Sequence, residues 1–197
     1  MEPLRTSSVV CPGAERWGIA GTATPFEPFA SALGGLPREA FLARIVDPVL
    51  LVTRAPRAVG DASSEFSTLI LRPAAPRSGG EALLVPVIKR AGANPFGMMV
   101  TVGRAGNNDL VLTDPSVSKL QCYFHRYDGR WRLSDPGSTN GTFVDGARLR
   151  RGEGVLLRPR ARVQVADTYE ATFLLPEDLL ELVAEREAGR PFGQRAG

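Results

Sequence analysis

Three short polar segments in the second half of the chain carry side chains suited to holding an anion. They are residues 102–110, 115–119 and 135–142, which offer an arginine, a serine followed by a lysine, and an Asn-Gly pair. Each segment is bounded by short apolar stretches, so each is predicted to be a loop between strands. If the fold brings the three loops to one end of a domain, their side chains form a single site.

The chemistry of that site would be recognition of a phosphate on a peptide. Arg104 has a planar fork of donors that matches phosphate oxygens, Ser118 adds a hydroxyl donor, and Lys119 adds a second positive charge. Asn140 can both donate and accept, as binding to a peptide backbone requires. A threonine phosphate carries about −1.5 to −2 charges at pH 7, and one Arg, one Lys and a hydroxyl would neutralise and fix it.

An enzyme is not expected. None of these side chains is a nucleophile poised next to a base. The sequence also lacks a phosphate loop of the G-x-x-x-x-G-K-[ST] type, a G-x-S-x-G turn and an H-E-x-x-H helix. His125, the only histidine, follows Phe124 in a predicted strand and is expected to be structural or exposed.

The apolar pattern after residue 81 predicts many short strands, and hence an all-β sandwich. Two Asp-Gly pairs, Asp128-Gly129 and Asp145-Gly146, suit two-residue hairpin turns. The predicted strands are 83–88, 98–102, 110–112, 122–127, 131–134, 142–144, 148–149, 155–157, 162–165 and 171–174.

Both ends of the chain differ from this pattern. Residues 1 to about 35 are predicted to be a flexible arm, followed by a short helix at 37–45 and strands at 49–53 and 66–71. A helix is predicted at 176–187, starting at a proline and ending before Gly189. We therefore expect an unassigned N-terminal extension at 1–80, a sandwich at 81–175, and a C-terminal helix and tail at 176–197.

Composition sets the broad class. The net charge of +3 does not demand a nucleic-acid partner, and the arginines near residues 148–162 have no interleaved aromatic residues that could stack on bases. Two cysteines, Cys11 and Cys122, provide neither a disulfide framework nor paired zinc ligands, so we expect no metal and no cofactor. Without a secretory signal or a membrane-length apolar run, the expected location is cytoplasmic.

The second half of the chain resembles the forkhead-associated (FHA) domain family. The resemblance is carried by Gly103-Arg104, by the four residues from Ser118 to Gln121, and by the Ser-Thr-Asn-Gly-Thr run at 138–142. It implies a sandwich of about eleven strands, bacterial in type, that binds a threonine-phosphorylated protein downstream of a serine/threonine kinase. It implies roles for particular residues: phosphate contacts by Arg104, Ser118 and Lys119, peptide contacts by Thr139 and Asn140, and loop shaping by Gly103 and Gly141.

One position departs from the family pattern. Gln121 stands where the family has a histidine that braces the binding loop from behind. An amide keeps a donor and an acceptor, and we expect it to replace the bracing hydrogen bonds imperfectly. Gln121 therefore favours an alternative: a degenerate FHA sandwich that acts as a phosphate-independent scaffold. A nucleic-acid binder acting through arginines is a third hypothesis, which strong salt-dependent DNA retention would support.

Overall fold

The computed structural model of the chain describes residues 23–54 and 82–189. Three helices lie in these ranges: α1 (Phe26–Leu33), α2 (Arg38–Arg44) and α3 (Pro176–Glu187). The twelve strands are β1 (Thr24–Pro25), β2 (Val49–Arg54), β3 (Leu83–Pro86), β4 (Met99–Gly103), β5 (Leu110–Val111), β6 (Cys122–Tyr127), β7 (Arg130–Ser134), β8 (Thr142–Val144), β9 (Ala147–Arg148), β10 (Gly154–Leu156), β11 (Arg162–Val165) and β12 (Tyr169–Leu174).

The strands form two sheets that pack as a sandwich, as predicted. Sheet A has seven strands in the order β1-β3-β2-β12-β11-β8-β9, and sheet B has five in the order β10-β7-β6-β4-β5. Neighbouring strands are antiparallel, except that β4 and β5 are parallel. Residues of β6 alternate between the two faces of sheet B: Cys122 and Phe124 are buried, whereas Tyr123 and His125 are partly exposed. This period of two directs one side of each sheet into the common core.

The main core fills the space between the sheets. Its aromatic centre is Phe124 of sheet B against Phe173 of sheet A, with ring centroids 6.0 Å apart and nearly parallel planes. Aliphatic side chains from both sheets, including Val102, Leu133 and Val163, surround the pair and are almost fully buried. Burying these side chains supplies the main free energy that holds the sheets together.

Both predicted Asp-Gly hairpins are present. Asp128 and Gly129 have φ of 50° and 72°, and Asp145 and Gly146 have φ of 51° and 83°. Positive φ at both turn positions matches the right-handed twist of the paired strands. The turns connect β6 to β7 and β8 to β9.

The part of the predicted flexible arm that the structure describes differs from its prediction, and residues 1–22 of the arm lie outside the described residues. Residues 26–33 of the expected flexible arm form helix α1, which buries Phe26, Phe29 and Ala30. These positions follow the i, i+3, i+4 spacing of one helix face, and Pro and Gly residues on either side hid that short pattern. Strand β2, expected within the N-terminal extension, lies inside sheet A between β3 and β12.

A second apolar core covers the outer face of sheet A. The three helices supply Phe29, Phe41 and Leu179, and the sheet supplies Leu51, Leu84 and other residues. Phe29 and Phe41 meet edge to face with ring centroids 6.4 Å apart. The first and last helices of the described chain, α1 and α3, thus pack on the same face of the sheet.

The other helices and strands predicted within the described residues are present, with bounds that differ by a few residues. The helix at 37–45 is α2, and 176–187 is α3, whose first turn is stabilised by the Asp178 carboxylate accepting a bond from the Leu175 amide at 2.9 Å. The strand predicted at 83–88 ends at Pro86, so Ile88 lies outside it. The strand predicted at 66–71 falls outside the described residues.

Within the described ranges, none of the helices has the length and apolar character needed to cross a bilayer. The same ranges contain no group of three or more His, Cys, Asp or Glu side chains placed to bind a metal ion.

Candidate functional site

The loop at 115–119 lies at the centre of the candidate site. It follows β5 and precedes β6, and Arg104 of the loop after β4 is bonded to it twice. The amide of Arg104 donates to the Ser118 carbonyl at 2.9 Å, and its side-chain Nε donates to the Val117 carbonyl at 3.2 Å. The two terminal guanidinium nitrogens make no hydrogen bond within the described residues, and the side chain is exposed. Arg104 is therefore oriented by its Nε while its fork remains open to a ligand.

The third loop, residues 135–142, is also hydrogen-bonded to the 115–119 loop. The Thr139 amide donates to the Ser118 hydroxyl oxygen at 3.0 Å, and that hydroxyl lies 3.4 Å from Thr139 Oγ1. Asn140 Nδ2 donates to the Ser116 carbonyl at 2.7 Å. Arg104 and Asn140 thus lie at the same end of the sandwich, since both are bonded to one short loop.

Lys119 is exposed, and its main chain supports the first loop. Its carbonyl accepts bonds from the Ala105 amide at 3.2 Å and from Asn108 Nδ2 at 2.7 Å. A side chain at Gly103 would collide with the same carbonyl, so only glycine permits this approach. The lysine side chain makes no ion pair or hydrogen bond in the described part of the chain.

Glycine is needed at position 141 for a different reason than at Gly103. Its φ of 86° lies in the left-handed region, where a side chain is strained. The reversal of the chain at this point lets Gly141 present its carbonyl to the interior just before β8 begins. That carbonyl accepts bonds from the amide of Ala166 at 3.0 Å and from the side chain of Gln121.

Gln121 is fully buried and makes a complete set of hydrogen bonds. Its Oε1 accepts from the Ser118 amide at 2.9 Å. Its Nε2 donates to the Gly141 carbonyl at 2.9 Å and to Thr142 Oγ1 at 3.2 Å. The expectation of an imperfect brace was wrong, because the amide spans the gap and satisfies a donor on one loop and two acceptors on another.

Asp135 organises the third loop from within. One carboxylate oxygen accepts from the amides of Gly137 and Ser138 at 2.8 and 2.6 Å, and the other accepts from the Ser138 hydroxyl. Burial by itself raises the pKa of Asp135, but the hydrogen bonds from Ser138, Gly137 and Thr142 outweigh it and the net pKa is lowered. The charged carboxylate thus holds the backbone that carries Thr139 and Asn140.

Asp109 has a similar role in the first loop, and sequence reasoning gave it none. It is buried, accepts from the Thr101 amide and hydroxyl at 2.8 and 2.9 Å, and pairs with Lys89 Nζ at 3.0 Å. Burial raises its pKa, but the bonds from Thr101, Arg90, Lys89 and Asn94 reverse this effect and lower the pKa overall. The signal in the sequence was the position of Asp109, a polar residue at the end of a loop and immediately before the apolar Leu110 and Val111.

Comparison with known proteins identifies a family in this part of the chain. The model of the family described as FHA domain matches residues 100–166, which span β4 to β11 and all three loops. The chain contains an FHA domain. The match leaves out β1–β3, β12 and the helices, so the second apolar core lies outside the matched FHA segment.

Curated relatives match a short part of the chain. "FHA domain-containing protein FhaB" of Mycobacterium tuberculosis is 40% identical over 50 residues, which is 25% of this chain and 32% of the relative. "Oxoglutarate dehydrogenase inhibitor" of Corynebacterium diphtheriae is 42% identical over 45 residues, 23% of this chain and 32% of the relative. The chain thus spans about a third of the length of these relatives.

Solved FHA structures are similar at greater distance. EmbR of Mycobacterium tuberculosis, solved with a low affinity phosphopeptide, is 19% identical with a TM-score of 0.41, covering 65% of this chain and 24% of EmbR. The FHA domain of an Arabidopsis thaliana hypothetical protein is 17% identical with a TM-score of 0.45, covering 66% of this chain and 86% of that one.

Proposed function

We propose that the FHA domain of this chain binds phosphothreonine peptides through the three converging loops. The observation that carries the proposal is the arrangement of Arg104 around the 115–119 loop. Its Nε is held by Val117 while its terminal nitrogens remain available. A guanidinium that is already oriented loses little freedom when it binds, and its two terminal nitrogens can reach two phosphate oxygens at once.

The charge balance of the loops supports an anionic ligand. Neither Arg104 nor Lys119 has a carboxylate partner among the described residues, and both are exposed. The carboxylates of Asp109 and Asp135 are buried below the loops, where hydrogen bonds already engage them. In the proposal, Arg104, Ser118 and Lys119 hold the phosphate, Thr139 and Asn140 hold the peptide backbone, and Gly103, Gln121 and Gly141 maintain the shape of the loops.

The proposed partner is a threonine-phosphorylated protein, and the proposed setting is serine/threonine kinase signalling in the cytoplasm. FHA domains are binding modules, and the geometry supports binding without a chemical step. None of the side chains of Arg104, Ser118 and Asn140 lies beside a general base that could activate it as a nucleophile. The kinase would act on the partner, and this chain would read the product.

Binding to an oriented phosphothreonine peptide library, with the unphosphorylated library as control, tests the proposal. We expect selective retention of phosphorylated peptides, followed by calorimetry on one selected sequence. Equal retention of both libraries would instead support the phosphate-independent scaffold. The hydrogen bonds of Gln121 to Ser118, Gly141 and Thr142 support the phosphopeptide proposal over that scaffold.

A further inference from the structure

Large apolar side chains are exposed at the end of the sandwich opposite the binding loops. Because the binding loops follow the end of β4 and precede the start of β6, the start of β4 and the end of β6 lie at the far end. Met98 and Tyr127 are located there and are 83% and 58% exposed, and Phe96 and Met99 are exposed as well. These four side chains form an apolar surface that no helix or strand of the described chain covers.

The four residues are neighbours. The Met99 amide donates to the Phe96 carbonyl at 2.9 Å, in the turn that leads into β4. Met99 is opposite His125 in the register of β4 and β6, and Tyr127 follows two residues later on the same face of sheet B. Tyr127 is thus a diagonal neighbour of Met99 at about 7–8 Å, which is within reach of long and aromatic side chains.

Sheet A contributes Val46 to the same end. Val46 precedes β2, whose first residue, Val49, pairs with Leu174 at the end of β12. The other end of β12 adjoins the binding loops, because Thr168 Oγ1 lies 3.1 Å from the Ser116 hydroxyl. Val46 is therefore at the far end as well, and its side chain is exposed. We call Val46, Phe96, Met98, Met99 and Tyr127 the distal patch.

The charged side chains around the distal patch offset one another. Burial raises the pKa of Asp47, and the positive charge of Arg126 opposes this rise, so these two groups lie close together. In the β6–β7 hairpin, Asp128 and Arg130 are exposed and carry opposite charges. The rim of the patch is thus close to neutral, whereas the binding loops at the other end of the sandwich are cationic.

The area of the distal patch matches the apolar part of a dimer interface. Side chains of this size have about 150–250 Å² of surface, so five that are about half exposed present on the order of 500 Å². A standard interface buries about 800 Å² per partner, of which roughly 60% is apolar, again on the order of 500 Å². An apolar centre with balanced charges around it can meet an identical surface without repulsion.

We infer that the distal patch is the contact surface of a symmetric homodimer, in which the same residues of two copies pack together. The two sets of binding loops then lie at opposite ends of the dimer and stay open, so one dimer can hold two ligands. The partner is a second copy rather than a strongly acidic or basic protein, because the patch has no net charge to attract one. The inference does not depend on the proposed function, since it concerns the other end of the molecule.

Sedimentation equilibrium of the full chain tests the inference. Over about 1–200 µM protein, we expect a reversible monomer–dimer equilibrium with a dissociation constant on the order of 1–100 µM, as for an interface of modest size. Met98→Glu should raise that constant at least about tenfold, because it puts two unpaired carboxylates into an apolar contact. Tyr127→Ser removes an aromatic ring from another part of the patch and should weaken the dimer about fivefold or more. Both side chains are exposed in one copy, so neither change removes a core contact.

Ala184→Glu is the matched control. It adds the same charge at an exposed position of α3, on the outer face of sheet A, and should leave the dissociation constant within about twofold. A wild type that stays monomeric over the whole concentration range overturns the inference. A dimer that is as stable in Met98→Glu and Tyr127→Ser as in wild type overturns the assignment to the distal patch. The affinity of one chain for a phosphothreonine peptide is measured separately, so failure of the dimer and failure of the proposed function are distinguished.

Discussion

At the scale of single residues, the open fork of Arg104 is expected to supply most of the affinity for a phosphopeptide. Loss of one hydrogen bond to a charged group costs about 1.5–3 kcal/mol, so Arg104→Ala should lower affinity by at least roughly tenfold to a hundredfold. Arg104→Lys should recover part of it, because it restores the charge without the fork. Calorimetry with one selected phosphothreonine peptide measures the effect.

A matched control for Arg104 is available in the chain. Arg130 is exposed beside the β6–β7 turn, about 17 Å along β6 from the binding loops. Arg130→Ala removes the same charge and should leave peptide affinity within twofold. Equal affinity of wild type and Arg104→Ala would show that the phosphate is not bound at this site.

Gln121 gives a second prediction at the residue scale. A neutral imidazole has one donor and one acceptor, whereas Gln121 uses two donor bonds and one acceptor bond. Gln121→His should therefore lower the free energy of unfolding by about 1 kcal/mol. Gln121→Met, which removes the acceptor of the Ser118 amide and one donor each from Gly141 and Thr142, should lower it by about 2 kcal/mol or more. Urea unfolding checks both values, and a more stable histidine variant would contradict the view that the amide is the complete brace.

At the scale of elements, strand β2 is the part of the N-terminal segment that the sandwich needs. It pairs with β3 through four residues and with β12 through five. A fragment of residues 82–175 would leave β3 without either neighbour and would expose Leu84 and Leu174 on the outer face of sheet A. We expect this fragment to lack cooperative unfolding and NMR signal dispersion, whereas residues 23–189 show both. A folded 82–175 fragment would show that β2 and the helices are dispensable.

Whether the sequence predicts a helix or strand depends on how many neighbouring residues are enough to recognise its pattern. The hairpins at Asp128 and Asp145 follow from two residues each, and α3 follows from its proline, its acidic first turn and Gly189. Helix α1 was missed because its eight residues contain Pro28 and give little more than two turns of period. The partnership of β2 with β12 joins residues far apart in sequence, and a strand pattern alone does not name its partner.

The residues of the candidate site were likewise predicted only in part. Residue type and spacing identified Arg104, Ser118 and Asn140, because loops at one end of a sandwich must lie near one another. The buried acceptors below them were not identified, since a polar residue beside a strand, as at Asp109, does not reveal which backbone amides its carboxylate accepts from. The approach of Arg148 to Gly141 and of Arg151 to Gly137 was not predicted either, because it depends on how the chain folds in three dimensions.

At the scale of the whole molecule, the buried carboxylates predict sensitivity to acid. The pKa values of Asp109 and Asp135 are lowered in the folded state. Their contribution to the free energy of unfolding is therefore complete above the unfolded pKa of about 4 and is lost as the pH falls below that value. Burial raises the pKa of Asp178, which opposes this loss in part. We expect urea midpoints to drop steeply below about pH 4.

Two aspartate substitutions separate this effect from general charge repulsion at low pH. Asp109→Asn should be less stable than wild type at pH 7 and should lose less stability on acidification, because one depressed carboxyl has been removed. Asp128→Asn, in an exposed hairpin turn, is the control and should follow the wild-type curve. Parallel curves for Asp109→Asn and wild type would assign the acid sensitivity to other groups.

The side chain of Gln121 joins the two sheets. It precedes β6 of sheet B and donates to Gly141 and Thr142, at the start of β8 in sheet A. A ligand held by loops from both sheets can bind only while the two sheets are packed together. The sheets therefore cannot separate until the ligand has dissociated. At a concentration a hundred times its dissociation constant, such a ligand would add about 2.7 kcal/mol to the stability of the entire fold. By the same linkage, a destabilising change on the helical face, far from any ligand contact, would weaken apparent binding once it allowed an appreciable fraction of molecules to unfold.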